Sequence, residues 1–380
     1  MKTAVSLYRN HQFELNPKSA SISPEAIQLV LGFGEKSLLA DPDFYPALRE
    51  KYPAAVIVTC STSGEIYGES VLDNTVSVVA LSFEKTRVEA VSLAVGDYPD
   101  SFSAGNTLVK KLPSEELAHI LVISDGALVN GSELVRGINA WVEQKVPVTG
   151  GLAGDAARFQ STLVGLNDHA VSGNIVAIGF YGRSLEVGHG SLGGWDVFGL
   201  EREITRSVSN VLYEIDGQNA LELYKKYLGD YARELPGSAL LFPLSMILPG
   251  SDVPLVRTIL SINNEEASMT FAGDVPKGAK VRFMKANFDR LVDAAGSAAK
   301  DSAFSGSDAA PQLALLISCV GRKLILDKRV EEEVAAVADS FHNKTLLAGF
   351  YSYGEISPFS PHARCELHNQ TMTITTFSER

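Results

Sequence analysis

Three segments of the chain each lead from an apolar run into a turn that contains glycine and closes on an acidic residue. The shortest is AVIVTCSTSGE, which ends at Glu65. The two longer ones run from AHILVISDG to VTGGLAGD, ending at Asp155, and from LALLISC to LLAGFYSYGE, ending at Glu355. Each longer segment reads as a strand, a turn, an amphipathic helix, a second strand and the closing turn. This pattern constrains the chain to an α/β fold with duplicated strand–helix units.

The long spacing between the two longer segments favours two related halves over a solenoid, whose repeats span about 20–50 residues. A chance likeness of generic strand–helix units is the alternative. Apolar runs predict buried strands at 54–60, 76–83, 119–124, 174–181 and 312–319, and helical spacing predicts helices over 132–146, 218–229 and 328–341. Ser23, Pro24 and Glu25 stand in the order of a helix start. We expect mixed sheets and three parts, namely an N-terminal domain 1–185, a connecting segment 186–219 and a C-terminal domain 220–380.

Charge and cysteine usage exclude several classes of protein. The 380 residues include 33 Lys and Arg against 45 Asp and Glu, a formal net charge of −12, which argues against a nucleic-acid or polybasic membrane partner. The N-terminal residues lack a signal-peptide core, and no apolar run is long enough to cross a bilayer. Three cysteines without paired spacing indicate a reducing compartment. We therefore predict a cytoplasmic protein without membrane insertion.

Motifs of nucleotide binding and catalysis are missing from the sequence. Residues 188–193 match G-x-G-x-x-G, but strand-like residues follow where a dinucleotide loop needs a helix. No P-loop, H-E-x-x-H, C-x-x-C or G-x-S-x-G pattern occurs, so we predict that the chain is not an enzyme. The alternative is a hydrolase or transferase whose strand-end nucleophile is Cys60, Ser61 or Ser63, although the sequence offers no identifiable base.

Polar residues in the three acid-closing turns are the candidate ligand-binding residues. Turns at strand ends form ligand crevices in α/β sheets, because glycines let backbone amides approach and hydroxyls fix the orientation of a ligand. Hydroxyls and carboxylates together can also hold the ammonium group of an amino acid. The predicted residues are Ser61, Ser63, Glu65, Asp155, Tyr351, Tyr353 and Glu355. The alternative is a set of tight turns with nothing bound.

His189 is the candidate haem ligand. It stands between two glycines at a predicted strand end, which would leave its side chain unhindered, and Trp195 and Phe198 follow closely. Aromatic surface beside an accessible imidazole suits a haem iron ligand. An ordinary loop histidine is the alternative. His368, in CELHNQTM, we interpret as a hydrogen-bonded structural histidine.

Several segments resemble the hallmark segments of FIST proteins, the F-box and intracellular signal transduction sensory modules. These are GGLAGDAARFQSTLV, FAGDVP, LISCVGRKLIL, AGFYSYGEI and CELHNQTMT. The resemblance covers nearly the whole chain, as a FIST N-terminal part to about residue 180 and a FIST C-terminal part from about residue 220. The stretch from HGSLGGW to LYKKYLG is similar to the stand-alone bacterial members.

The resemblance implies a cytoplasmic sensory module that binds a small ligand, with amino acids as the proposed class. Its output would pass to a separate partner, a histidine kinase of a two-component system or a cyclic-di-GMP enzyme (a diguanylate cyclase or phosphodiesterase), and a homodimer is left open. A branch of the stand-alone bacterial group binds haem b and senses nitric oxide. The sharper expectation is thus a haem-binding nitric-oxide sensor with His189 as iron ligand, and the alternative is an amino-acid or metabolite sensor without haem.

Overall fold

The body of the protein consists of three structural units, and the central strands of each unit form a sheet with the same strand order. The structure is a computed structural model, which describes residues 1–142, 146–250, 252–304, 309–359 and 363–380. Unit 1 spans residues 2–82. Its elements are β1 (Lys2–Arg9), β2 (Gln12–Leu15), β3 (Leu29–Gly34), α1 (Lys36–Leu39), α2 (Phe44–Lys51), β4 (Val56–Ser61), β5 (Glu65–Tyr67), β6 (Ser70–Leu72) and β7 (Val76–Ser82).

Unit 2 spans residues 87–181 and has a similar order, with a helix in place of β2 and no counterpart of β6. Its elements are β8 (Arg87–Ala94), α3 (Ser101–Lys110), β9 (Leu117–Ser124), α4 (Gly131–Val142), β10 (Val148–Leu152), β11 (Val164–Leu166) and β12 (Asn174–Tyr181). Helix α4 begins where Asn130 accepts hydrogen bonds from the backbone N–H groups of Ser132 and Glu133, the usual N-cap arrangement.

Unit 3 begins with β13 (Leu185–Leu192) and is interrupted by an inserted domain, residues 196–285. The inserted domain has its own apolar core, which includes Ile204, Leu212, Tyr224 and Phe283. Its elements are β14 (Asp196–Val208), β15 (Val211–Ile215), β16 (Gln218–Asn219), α5 (Ala220–Leu228), β17 (Leu244–Ile247), β18 (Pro254–Arg257), β19 (Ile259–Asn263), β20 (Ser268–Phe271) and β21 (Lys280–Lys285). Unit 3 then resumes with α6 (Phe288–Asp301), β22 (Leu313–Cys319), α7 (Val320–Leu326), α8 (Val330–Ser340), β23 (Leu346–Ser352), β24 (Gly354–Pro358), β25 (Cys365–His368) and β26 (Met372–Glu379).

The three units exchange strands in a closed ring. Their sheets share one order, β4-β3-β7-β1, β10-β9-β12-β8 and β23-β22-β26-β13. In each sheet the first two strands are parallel and the others antiparallel. Strand β5 of unit 1 extends the sheet of unit 3, β24 of unit 3 extends that of unit 2, and β11 of unit 2 extends that of unit 1. Each sheet is therefore completed by another unit.

All three sheets direct one face to a shared central core. Successive strand residues point to opposite faces, so Leu31 and Phe33 of β3 join the central core while Val30 packs towards α2. Leu121 of unit 2 and Phe350 of unit 3 lie in the same core, and the Phe33 and Phe350 rings stack with centroids 4.8 Å apart. Helices cover the outer faces, and the strands read as continuous apolar runs because they are buried on both sides.

The predicted α/β class with mixed sheets and duplicated strand–helix units is confirmed, and the unit occurs three times. Strand β12 has the predicted bounds, and the other predicted strands and the helices over 218–229 and 328–341 differ by at most two residues at their ends. The predicted helix 132–146 corresponds to α4, and its residues 143–145 lie outside the described part of the chain. The predicted helix start at Ser23 is confirmed, with Ser23 at the N-cap position and Pro24 and Glu25 in the first turn. Only a 3-10 turn, Pro24–Ala26, forms there, because the following residues Leu29–Gly34 are drawn into the buried strand β3. None of the helices within the described ranges is long and apolar enough to cross a membrane.

Candidate ligand-binding site

The three acid-closing turns meet at one end of the central core. We name them the first turn (61–65), the second turn (152–155) and the third turn (351–355). Backbone hydrogen bonds join them in a ring, in which Gly154 N donates to Ser61 O (2.8 Å), Ser63 N to Tyr351 O (2.8 Å) and Tyr353 N to Leu152 O (3.2 Å). A Cβ atom at Gly154 would collide with the first turn, so this close approach requires glycine. Strand exchange thus brings together residues almost 300 positions apart.

Glu65 and Glu355 are buried in the same hydrogen-bond pattern. Glu65 accepts from the Thr62 hydroxyl (2.5 Å) and from the hydroxyl and N–H of Thr75 (2.9 and 3.3 Å). Glu355 accepts from the Ser352 hydroxyl (2.9 Å) and from the hydroxyl and N–H of Thr371 (2.8 and 3.1 Å). Desolvation raises the pKa of Glu65 to about 7 and that of Glu355 to about 8, although the hydrogen bonds from these donors act to lower both pKa values.

Asp155 in the second turn is held by ion pairs instead. Its carboxylate accepts from Arg158 Nε at 2.7 Å and lies 3.7 Å from Lys36 Nζ. Arg158 also binds Glu35 at 2.7 Å, so four charged side chains of units 1 and 2 form one network. Desolvation opposes the charge of Glu35, but hydrogen bonds from Ser37 and Arg158 hold its pKa below the ordinary value.

The Tyr351 hydroxyl is committed to a buried network behind the third turn. It donates to Glu333 at 2.7 Å, and the same carboxylate binds the guanidinium of Arg322 at 2.7 and 2.9 Å. Arg322 and Glu333 are fully buried, and burial holds the pKa of Tyr351 well above its ordinary value. This network fixes the turn from inside, between α7 and α8.

A cleft of about 540 Å³ lies against the first turn, and we name it the charged cleft. Thr62, Ser63 and Glu65 form one side, and the start of α7 with Val320 and Lys323 forms another. Its charged and apolar lining also includes Glu35, Val71, Asp73, Arg158, Leu324, Asp327 and Val330. Lys323 is only 17 % exposed; its Nζ donates to Ser63 O at 2.9 Å and pairs with Asp73, which is 61 % exposed. Cations and anions therefore face one space.

A second cleft of about 380 Å³ occupies the corresponding place at the third turn. It lies between Tyr353, the loop 126–131 at the end of β9, and the inserted domain. The Tyr353 hydroxyl accepts from Phe159 N at 3.0 Å and burial raises its pKa to about 12. The two clefts are equivalent by strand exchange, because each turn lies against the first parallel strand of the sheet it extends.

The clefts reach three of the seven turn residues that the sequence predicts. Ser63 and Glu65 line the charged cleft and Tyr353 lines the second. The other four, Ser61, Asp155, Tyr351 and Glu355, are fully buried, and their polar side-chain groups bind other protein groups. The ligand-binding role of all seven stays a prediction. Sequence reasoning missed Lys323 and Arg158, whose only signal was a basic residue shortly after a strand and turn.

His189 lies in β13, and its surroundings do not fit a haem. Gly188 and Gly190 face α6, since a Cβ atom at either would collide with backbone carbonyls of that segment. His189 points to the opposite face, where Val187 packs on the central core and the nearby His119 is buried. The flanking glycines thus make room for a helix and do not free the imidazole. Burial lowers the pKa of His189, and neither cleft includes it.

The aromatic residues that follow His189 pack in other parts of the protein and not beside the imidazole. Trp195 donates to Gln370 O at 2.9 Å and packs with Leu291, while Phe198 is part of the inserted domain and packs on its core. Among the residues the structure describes, no group of three or more His, Cys, Asp and Glu side chains could hold a metal ion. All three cysteines are buried and free, and His368 binds Ser357 O at 2.8 Å as a structural histidine.

Clefts at the strand ends of an α/β body are common places for ligands to bind. Residues 28–218 match the FIST N domain and residues 220–358 match the FIST C domain. The chain therefore belongs to the FIST family of small-ligand sensory domains in signal transduction, as the sequence predicted. No curated protein matches the chain. Haem, nitric oxide, the kinase and cyclic-di-GMP partners, the homodimer and the cytoplasmic location stay predictions.

Among the solved structures that resemble the chain is a cyanuric acid hydrolase from A. caulinodans. The match covers 100 % of this chain and 99 % of that one, at 8 % identity and a TM-score of 0.36. The prediction that this chain is not an enzyme is corrected here: it rested only on missing motifs, which exclude no activity, and the structure that the chain resembles is that of a hydrolase. A likeness this distant indicates no particular reaction, and we infer none from it.

Proposed function

We propose that the protein senses an amino acid with an apolar side chain, bound in the charged cleft. The supporting observation is the mixed lining of this cleft, in which two cations and several carboxylates face the same space as Val71, Val320 and Leu324. A zwitterion needs a cation for its carboxylate and an acid for its ammonium group. The apolar wall suits an aliphatic side chain.

Lys323 is the residue that we assign to the ligand carboxylate. Its ammonium group is mostly buried, but its partner Asp73 is exposed, and water screens the ion pair on the Asp73 side. The Asp73 side chain can rotate into solvent, which frees the Lys323 ammonium group to bind the ligand carboxylate. The hydrogen bond from Lys323 to Ser63 O would remain. Glu35, which is 14 % exposed and already deprotonated at neutral pH, is our candidate partner for the ligand ammonium group.

Thermal unfolding in the presence of each amino acid tests the proposal. A ligand at 100 times its Kd adds about 2.7 kcal/mol to the free energy of unfolding. We expect one or a few aliphatic amino acids to raise the melting temperature of the wild type, and Lys323→Met to abolish the rise. Lys328→Met removes an exposed lysine outside the cleft and should leave the rise intact.

Two results would overturn this function. One is that no amino acid raises the melting temperature; the other is that Lys323→Met and wild type respond equally. An absorption spectrum of the freshly purified protein separates the haem expectation from this proposal. A Soret band that shifts with nitric oxide and survives in Lys323→Met would support haem binding elsewhere in the chain.

A further inference from the structure

The cleft at the third turn differs in chemistry from the charged cleft. None of the described residues that line it is charged. Leu128, Phe159 and Leu260 all contribute to it, with exposed fractions of 62 %, 44 % and 44 %. Three large apolar side chains from separate segments therefore converge on one opening, where each leaves apolar surface in water.

One wall of this cleft is a flat aromatic surface. The rings of Phe159 and Tyr353 stack with centroids 4.6 Å apart and planes at 18°. The Tyr353 hydroxyl is already bound to the backbone, so this wall presents ring faces and edges. Gln160 and Asn210 add amide side chains to the lining, and Asn210 Nδ2 donates to Phe271 O at 2.8 Å. Such a lining favours a ring with a neutral hydrogen-bonding group over any ion.

The cleft also bridges two bodies of the protein. Leu128 and Phe159 belong to unit 2, while Leu260 and Phe271 belong to the inserted domain. Beside the cleft, Asp274 of the inserted domain accepts from Asn130 at 3.0 Å and its N–H donates to Ser132 at 3.2 Å. Buried Arg257 donates to Leu367 O at 3.0 Å. A molecule in the cleft would contact both sides of this junction.

We propose that this second cleft binds an uncharged, ring-bearing small molecule that clamps the inserted domain against unit 2. The volume of about 380 Å³ is within the usual range of small-molecule sites. The site is independent of the charged cleft, since the two share no lining residue. The protein would then respond to two ligands of different chemistry.

Benzamide and benzoate, which have nearly the same shape and differ in charge, are the probes for this site. We expect isothermal titration to show benzamide binding, with benzoate at least about tenfold weaker, a difference of about 1.4 kcal/mol. Leu260→Asp should weaken benzamide binding by at least about tenfold, because it puts a charge at the apolar rim. Leu200→Asp, at a residue 73 % exposed in the same inserted domain and outside the cleft, is the matched control and should bind as wild type does.

Hydrogen exchange tests the clamp separately. Benzamide should slow exchange at the N–H group of Asp274, which donates to Ser132 across the junction. Binding without slower exchange would overturn the clamp. Absence of benzamide binding, equal binding of benzoate, or full binding by Leu260→Asp would overturn the site. Lys323→Met should leave benzamide binding unchanged, so failure of this proposal is distinguishable from failure of the amino-acid proposal.

Discussion

At the scale of single residues, the buried acids Glu65 and Glu355 define the centre of the molecule. Each carboxyl lies out of water and is held by a hydroxyl three residues earlier and by a threonine just before a neighbouring strand. Their matching hydrogen bonds show that the first and third turns share one local structure. The two acids were predictable as a pair, because a glycine followed by an acid closes each turn in the sequence. That nearby hydroxyl and N–H groups donate to both carboxyls was not predictable.

The two raised pKa values make stability depend on pH. Burial raises the pKa of Glu355 from 4.5 to about 8 and that of Glu65 from 4.5 to about 7. The folded state then holds protons that the unfolded state has released, so the contribution is fully present below pH 4.5 and is lost as pH rises through 8. His119 and His368 have lowered pKa values, so they change the free energy of unfolding with pH only below about pH 6.5.

Between pH 6.5 and 8 we therefore expect the free energy of unfolding to fall by about 1–2 kcal/mol as pH rises. Urea unfolding at several pH values in this window measures the fall. Glu355→Gln, which cannot release a proton, should lose most of it. A flat profile in the wild type, or an unchanged slope in Glu355→Gln, would contradict the assignment.

At the scale of elements, α7 and α8 are joined by a buried ion pair that also fixes the third turn. Arg322 donates to Glu333, to Gly193 O at 2.6 Å and to Leu291 O at 2.8 Å, while Glu333 accepts from Tyr351. The helix over 328–341 was predictable from its apolar spacing. The ion pair was not, since nothing in the sequence distinguishes Arg322 and Glu333 from solvent-exposed charges.

Removing one partner of this pair should be costly. Arg322→Met leaves the Glu333 carboxylate buried without its cation, and we expect a loss of about 3–5 kcal/mol in the free energy of unfolding. Arg322→Met with Glu333→Gln should recover part of that loss. The comparison variant is Arg329→Met, which breaks an exposed pair and should change little. Equal effects of Arg322→Met and Arg329→Met would show that the buried pair is not structural.

At the scale of the whole molecule, no unit is complete by itself. Strand β5 pairs with β23 of unit 3, and β24 pairs with β10 of unit 2. The sequence indicated the α/β class and the likeness of the three turns, because strand and turn patterns are local. It did not indicate that strands are exchanged, or that residues 196–285 interrupt unit 3, because pairing between distant segments leaves no local pattern.

Fragments should reflect this arrangement. Residues 1–182 alone lose the third wall of the central core and the partner of β5, so we expect no cooperative unfolding transition. The inserted domain, residues 196–285, has its own core and should unfold cooperatively. Circular dichroism during thermal unfolding measures both. A cooperative transition in 1–182 would show that the exchanged strands are dispensable.

The ring of exchanged strands has a consequence for how binding chemistry can differ within one chain. In a ring of three identical chains, symmetry would force three identical clefts. Here the three turns belong to one polypeptide, so each has its own neighbours. One faces a mixed-charge space, one faces an uncharged aromatic space, and the acid of the remaining turn is covered by ion pairs with Lys36 and Arg158. Joining the units in one chain frees each cleft to acquire a separate specificity.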